Sequence, residues 1–411
     1  MKSLRSFFGI ITMFSLCVVF TACPGGGNDV TDIDSHTSYD DNGDDYQGNN
    51  DGTASSFRGS GTQSDPYLIS GTTELRKLAK DVNGGNTYKS CYFKMTSNIT
   101  FNNSVLNSKG LLNSRNNDFE EWTPIGNSSR NSFCGFFDGN GYSISGLYIN
   151  RGSDDNQGLF GFLSGEVKNL TVKDSYIKGN HYCGGIAGSV VTFTNNPKLK
   201  NCINYSCVEG AYRSGGILGG SDGSSCEVDR CINYGVVEGS LILGGIVGSG
   251  DKTIITNCVN YGTVGYVSNG DKNAATMGGI VGSSSEYGGL EIKNCANFGD
   301  FTSSVQSCCG ICCHNSNSIE NCVNYGSVHF GILMTASYRK NIVNTYYLNI
   351  SSGSGKGSND TKITNSQCKS MKGTEMQRQS FLDELNNNAK ALGSSFAKWK
   401  FGSDGFPTLD I

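Results

Sequence analysis

The chain has 411 residues, enough for one or two domains with a full core, and only 17% of them are charged. Eight Asp and no Lys or Arg fall in residues 24–56; setting these and the cations Lys2 and Arg5 aside, the rest from residue 57 holds 30 basic against 28 acidic residues. A nearly neutral body excludes an electrostatic case for nucleic acid, and 57 Gly with 5 Pro and no triplet exclude collagen. In chain order, Lys2 and Arg5 precede an almost wholly apolar run from Phe7 to Phe20. It is too short and too near the start to read first as a membrane span, so residues 1–22 are predicted to be a signal peptide.

Phe20-Thr21-Ala22-Cys23 then resembles a bacterial lipobox, with Phe20 where Leu is usual. The resemblance implies cleavage before Cys23, diacylation of its sulfur with palmitate-type chains and acylation of its new amine. Each buried methylene contributes about 0.8 kcal/mol, so several chains anchor firmly. The alternative is an ordinary signal peptide that ends near Cys23. Pro24 stands where a retention Asp is found in such proteins, which points toward the outer membrane. Residues 23–56 are predicted to be a lipidated, disordered, acidic tether, because they bury too little surface to offset their ordering entropy. Asp41-Asn42-Gly43-Asp44-Asp45 resembles part of a calcium loop, but it lacks the terminal Glu and the flanking helices and reads as a solvated spacer.

From residue 57 on, self-similarity dominates. A glycine-rich apolar block recurs as Gly184-Gly185-Ile186-Ala187-Gly188, Gly215-Gly216-Ile217-Leu218-Gly219, Gly244-Gly245-Ile246-Val247-Gly248 and Gly278-Gly279-Ile280-Val281-Gly282. Cys309-Gly310-Ile311-Cys312-Cys313 is a degenerate last copy. The blocks step by 31, 29, 34 and 31 residues. A second block interleaves with them, as in Asn257-Cys258-Val259-Asn260-Tyr261, and its cysteines (202, 231, 258, 295, 322) step by 29, 27, 37 and 27. About 30 residues holding three short strands and no helical period fit one turn of a right-handed parallel β-helix. Stacked turns then bury a continuous core that one turn cannot. At about 4.8 Å per turn, seven or so turns give a body of about 35 Å. The expected fold is therefore all-β, with residues 57–150 as N-terminal cap and first turns, 151–350 as the repeat β-helix and 351–411 as a C-terminal capping region with a helical cap.

Gly158-Leu159-Phe160-Gly161 resembles the motif of the GLUG-motif family, and the likeness extends to both sides. Gly59-Ser60-Gly61-Thr62 with Asp65 to Ile69 resembles its opening strand, and Thr73 to Val82 its following helix, with Leu75, Leu78, Ala79 and Val82 on one face. Trp122 to Gly126 and Phe137 to Gly141 resemble its first turns; Phe381 to Asn386, Trp399 and Gly405 to Leu409 resemble its ending. The resemblance covers residues 57–411. It implies a secreted or cell-surface β-helix, often adhesin-like and often a gut-bacterial lipoprotein, with no conserved catalytic set.

Beyond the signal and Cys23, fifteen cysteines remain. The five repeated ones should form a column, packed in the core as small hydrophobes; stacked disulfides and metal or redox chemistry are the alternatives. Cys308-Cys309-Gly310-Ile311-Cys312-Cys313-His314 contains a C-x-x-C spacing, yet aligned on Gly-Ile its cysteines replace Gly278, Val281 and Gly282, and a second C-x-x-C is missing. No metal and no cofactor are expected. Asn204, Asn233, Asn260, Asn297 and Asn324 should form a hydrogen-bonded ladder, followed by an aromatic column of Tyr205, Tyr234, Tyr261, Phe298 and Tyr325. The column is either packed at the core or rim, or a solvent-facing strip able to stack on sugars. On the second reading Tyr205, Tyr234, Tyr261 and Tyr325 are the candidate binding residues.

No catalytic residues are assigned, and the chain is not expected to be an enzyme. Asp138, Glu209, Glu238 and Asp300 are the candidate acids, but Asp138 reads as a turn residue and the two Glu share one repeat position. The histidines at 36, 181, 314 and 329 are scattered. The expectation is a membrane-anchored envelope lipoprotein that presents a β-helix to a host protein or glycan. The alternatives are a polysaccharide-active lyase or hydrolase, since that fold includes both, and a passive structural component.

Overall fold

The structure is a computed structural model that describes residues 57–349 and 368–411, apart from 116–117, 194–195, 222, 267–275, 286–287, 303–307, 315–316, 329–330 and 336–340. The predicted signal peptide, Cys23 and the acidic tether lie outside the described residues, as do His36 and His329. The described chain is a parallel β-helix of about eight turns, as its repeats predict. Three sheets form its sides, of ten, seven and sixteen strands. One coil shows the plan: Cys226–Asp229 lies in the first sheet, Ile232–Asn233, Val237–Gly239 and Ile242–Gly244 in the third, and Val247–Ser249 in the second. Thr253–Thr256 then returns to pair in parallel with Cys226–Asp229. Register follows the repeat, with Asn204 beside Asn233, Val208 beside Val237 and Glu209 beside Glu238. Equivalent residues therefore stand in columns.

Each position of the Asn-Cys-x-Asn-Tyr block has its own task. The first Asn turns the corner in the left-handed region, with φ of 50° at Asn201, 55° at Asn257, 56° at Asn294 and 52° at Asn321. Asn adopts that conformation at lower cost than most side chains. The Cys is buried in the core in all five copies. Its thiol donates to the carbonyl two residues back, at 3.2 Å from Cys258 to Thr256 and 3.3 Å from Cys322 to Glu320. Burial pushes both of these thiols well above the ordinary thiol range. The third residue faces outward as an apolar column. The second Asn forms the buried ladder, Nδ2 to Oδ1, at 2.9, 2.9, 2.9 and 2.8 Å from Asn204 through to Asn324.

The glycine block makes room for that ladder. A Cβ on Gly245 would lie 2.2 Å from the Gly279 oxygen and 2.4 Å from the Asn260 side chain, so only glycine fits opposite the asparagine. Ile246 beside it fills the core. The two interleaved sequence blocks are thus the two sides of one contact.

Both ends are covered. The helix Thr72–Asn83 buries Leu75, Leu78, Ala79 and Val82 beside the first rungs, Tyr67–Ile69 and Tyr92–Met95. At the other end Cys368–Met371 adds a last parallel rung beside Thr345–Leu348. The helix Gln379–Leu392 and the antiparallel pair Trp399–Phe401 and Pro407–Leu409 then fold back along the flank. There they cover the outward column Val259, Ala296, Val323 and Tyr346. The predicted C-terminal cap therefore reaches down the side as well as closing the end.

Candidate functional site

Along the strand Ile203–Gly215 side chains alternate in direction, so Tyr205, Cys207 and Glu209 share the outer face. Register places Lys173, Tyr176 and Lys178 beside them in the preceding coil. Tyr234, Val236 and Glu238 follow in the next. The insertion of residues 103–119 lies over the middle of this face, where Val105, Leu111 and Phe119 pack with Tyr148, Tyr176, Cys207 and Val236. Asp174 anchors it by accepting a bond from the Leu106 N–H at 2.9 Å. An aromatic column lies on one flank of the insertion and a charged column on the other.

The aromatic column is continuous. Ring centroids are 4.7 Å apart from Tyr205 to Tyr234, then 5.0, 4.9 and 4.4 Å on to Tyr325, all stacked. Only its first two members are open, Tyr205 at 43% exposure and Tyr234 at 41%. This corrects the sequence reading of Tyr261 and Tyr325 as solvent-facing candidates. The Tyr261 hydroxyl meets Thr408 Oγ1 at 2.7 Å, and Tyr325, 8% exposed, donates to the Pro407 carbonyl at 2.8 Å. The folded-back C-terminal segment covers them. Stacking has a second consequence. Parallel rings this close leave no room for a sugar between them, so the open strip shows ring edges and hydroxyls. Tyr205 alone keeps an outer face clear of the ring column, and the exposed Lys173 stands next to it in register.

In the charged column Lys178 Nζ lies 2.8 Å from Glu209 Oε1, and the Tyr176 hydroxyl donates to Glu209 Oε2 at 2.5 Å. Glu238 is one strand further on, about 4.8 Å away. Burial, and then the charge of Glu209, raise its carboxyl above the ordinary value of 4.5. Between that value and the raised one the native state holds more protons than the unfolded chain, so stability falls as pH rises through this window. Glu238→Gln is expected to remove that loss and to raise the melting temperature at neutral pH. Thermal melts of both proteins across the acidic range check this; a variant that melts lower at neutral pH contradicts it.

The structure brings together only these two of the candidate acids. Asp138 is in the ten-stranded sheet and accepts the Asn140 N–H at 2.8 Å and Asn169 Nδ2 at 3.0 Å, the turn role read from sequence. Asp300 accepts the Ser327 N–H at 3.4 Å. Among the described residues no three His, Cys, Asp or Glu are grouped to hold a metal.

One cluster escaped the sequence reading. His181 stacks on Tyr212 at 4.9 Å, and Arg213 lies over Tyr182 at 5.1 Å while donating to its hydroxyl at 2.8 Å. Tyr182 and Arg213 have φ of 58° and 55°, unusual for such side chains. The signal was available: the two are 31 residues apart, the step of the glycine blocks they precede.

No family model matches the sequence. Halomucin of Haloquadratum walsbyi is 32% identical over 183 residues, 44% of this chain and 2% of that protein. A protein of Evansella cellulosilytica, provisionally named a Gly-rich membrane protein, is 32% identical over 121 residues, 29% of this chain and 12% of that one. The chain thus spans a small part of both relatives. Among solved structures, a Bacteroides ovatus protein provisionally described as an immunoglobulin A1 protease superposes with a TM-score of 0.54 at 20% identity, over 86% of this chain and 94% of that one. The likeness is one of fold.

Proposed function

We propose that the chain is a GLUG-type envelope lipoprotein, anchored through acylated Cys23, whose β-helix binds a glycan or host protein outside the cell. The observation that carries the binding reading is the open end of the aromatic column, where Tyr205 offers one ring face beside Lys173 and Tyr234 adds a hydroxyl edge. An aromatic face with nearby polar donors suits the apolar face and hydroxyls of a sugar ring. The names of the Evansella relative, a membrane protein, and of halomucin support an envelope or surface location, and the lipobox of residues 20–23 supports the anchor.

The test is binding of the purified full chain to arrays of glycans and host extracellular proteins. Removing Tyr205 alone would only bare the Tyr234 face, so the double variant Tyr205→Ala/Tyr234→Ala is needed. A stacked ring contributes about 1 kcal/mol, so the double variant should weaken binding roughly fivefold while keeping the parent's circular dichroism at the assay temperature. No binding on a broad array, with unchanged adhesion of cells lacking the protein, overturns the reading. Loss of fatty-acid labelling in Cys23→Ala tests the anchor separately.

A second reading, polysaccharide cleavage, is favoured by one observation: Glu209, paired with Lys178 at 2.8 Å, stands next to half-buried Glu238 with its raised carboxyl. Release of new chain ends from a polysaccharide, abolished in Glu238→Gln, would replace binding with catalysis.

A further inference from the structure

The copy of the glycine block at residues 309–313, on which Gly331 and Ile332 of the next coil stack, departs from the four copies before it at two positions at once. In the preceding coil these are Gly278 and Gly282, and a Cβ there would lie 1.7 Å from the Val281 oxygen and 2.7 Å from the Gly248 oxygen. The next coil carries Cys309 and Cys313 instead, both with no exposed surface. The two replacements face each other, with Sγ atoms 3.4 Å apart. They also form a pocket of their own. Cys308 packs with Met277, and Cys312 belongs to the main core, so the C-x-x-C spacing of Cys309 and Cys312 is not the spatial pair.

We propose that Cys309 and Cys313 are a covalent modification site and join in a disulfide within one coil when the chain folds in an oxidising compartment. A disulfide needs about 2.05 Å between sulfurs, so the two Sγ atoms must approach by about 1.4 Å from their 3.4 Å separation. The column Cys202, Cys231, Cys258, Cys295 and Cys322 stays reduced on a different criterion, its strand spacing. In-register strands hold its Cβ atoms about 4.8 Å apart, beyond the roughly 3.8 Å a disulfide prefers. Each of these thiols is also committed to a backbone carbonyl, as at 3.4 Å from Cys202 to Lys200 and 3.5 Å from Cys231 to Asp229. The oxidant is a small disulfide of the glutathione class. One cysteine thiolate attacks it, forming a mixed disulfide and releasing one thiol. The second cysteine thiolate then displaces the other thiol, so two protein thiols are oxidised and one disulfide is reduced to two thiols. Because the pair is buried, this exchange takes place while this coil and the one that follows it are still stacking.

Only the cellular occurrence rests on the proposed export; the chemistry does not. The full chain is therefore folded in a glutathione redox buffer and, separately, recovered from an oxidising export compartment. Each sample is denatured, its thiols blocked with a light alkylating reagent, then reduced and labelled with a heavy one. Heavy label on Cys309 and Cys313, with light label on the column, is the expected result. The variant Cys309→Gly/Cys313→Gly restores the pattern of the earlier coils and should lose all heavy label at this coil while keeping the parent's circular dichroism. Light label on both cysteines in redox buffer, or heavy label linking Cys309 to Cys312 or joining column members, overturns the proposal. Oxidation in buffer with reduced thiols in the exported sample overturns its cellular part and speaks against export, not against the pair.

Discussion

Asn260→Leu is expected to destabilise the β-helix by about 3–5 kcal/mol, the sum of several buried hydrogen bonds left without a partner. Leucine shares the branched outline of asparagine but is larger, so overpacking opposite Gly245 adds to the loss of the hydrogen bonds. Asn260 Nδ2 donates to Asn297 Oδ1 at 2.9 Å and to the Gly262 carbonyl at 3.0 Å. Its Oδ1 accepts Asn233 Nδ2 at 2.9 Å and the Gly262 N–H at 3.1 Å. All four links are buried. Asn204→Val serves as the internal control. Asn204 is the first member of the ladder, and the residue beside it in the preceding coil is already Val172. It lacks only the bond from a preceding ladder member, since it donates to Asn233 and to the Ser206 carbonyl and accepts the Ser206 N–H, so its loss should cost less by one buried hydrogen bond, about 1 kcal/mol. Urea denaturation of the three proteins measures both values. Equal destabilisation at the two positions would show that the ladder does not act as a chain of bonds.

The ladder also shows what sequence can and cannot reveal here. Columns were legible because a solenoid converts sequence period into spatial adjacency: residues 27 to 37 apart that look alike do touch. The core cysteines, the Asn ladder, the stacked rings and the fold itself all follow from that conversion. What breaks the period was not legible. The insertion of residues 103–119 has no repeat partner, so nothing in its sequence says that Leu111 and Phe119 settle on Tyr176 and Cys207. Nor does the period say that residues 379–409 return along the flank and bury Tyr325. Whether a repeated residue is exposed depends on such non-repeating segments. Four tyrosines equivalent by sequence therefore divide into two open, one half-buried and one covered. The carboxylate pair was visible as a repeat of Val-Glu-Gly, but its asymmetry was not, because Lys178 supports Glu209 from a coil that lacks the motif.

The second large effect concerns that flank. Trp399→Ala is expected to cost about 3–5 kcal/mol by cavity formation and to release the C-terminal cover. Trp399 is 3% exposed and lies in the cluster of Val259, Ala296, Leu385 and Ala389. Its Nε1 donates to Asn294 Oδ1 at 2.7 Å, and Asn294 Nδ2 in turn donates to the Ala397 carbonyl at 2.9 Å. Asn257 Oδ1 accepts the Ala397 N–H at 2.8 Å. The cover is thus fastened to the corner asparagines, and the indole is one of its large apolar anchors beside Phe381 and Leu385. Losing it should open the cover locally before the coils unfold, since the ladder and core beneath do not depend on it. Hydrogen exchange should accelerate in residues 379–409 and spare the amides around Ile255. Lys400→Ala is the control: its pair with Asp410 has side chains 57% and 60% exposed, and an exposed pair of this kind contributes little. The functional consequence separates two ideas of the aromatic column. Release of Thr408 from Tyr261 would lengthen the open strip by one ring. A ligand that reads ring edges along the column should then bind Trp399→Ala more tightly than the parent, whereas a ligand held by the outer face of Tyr205 should not notice the change.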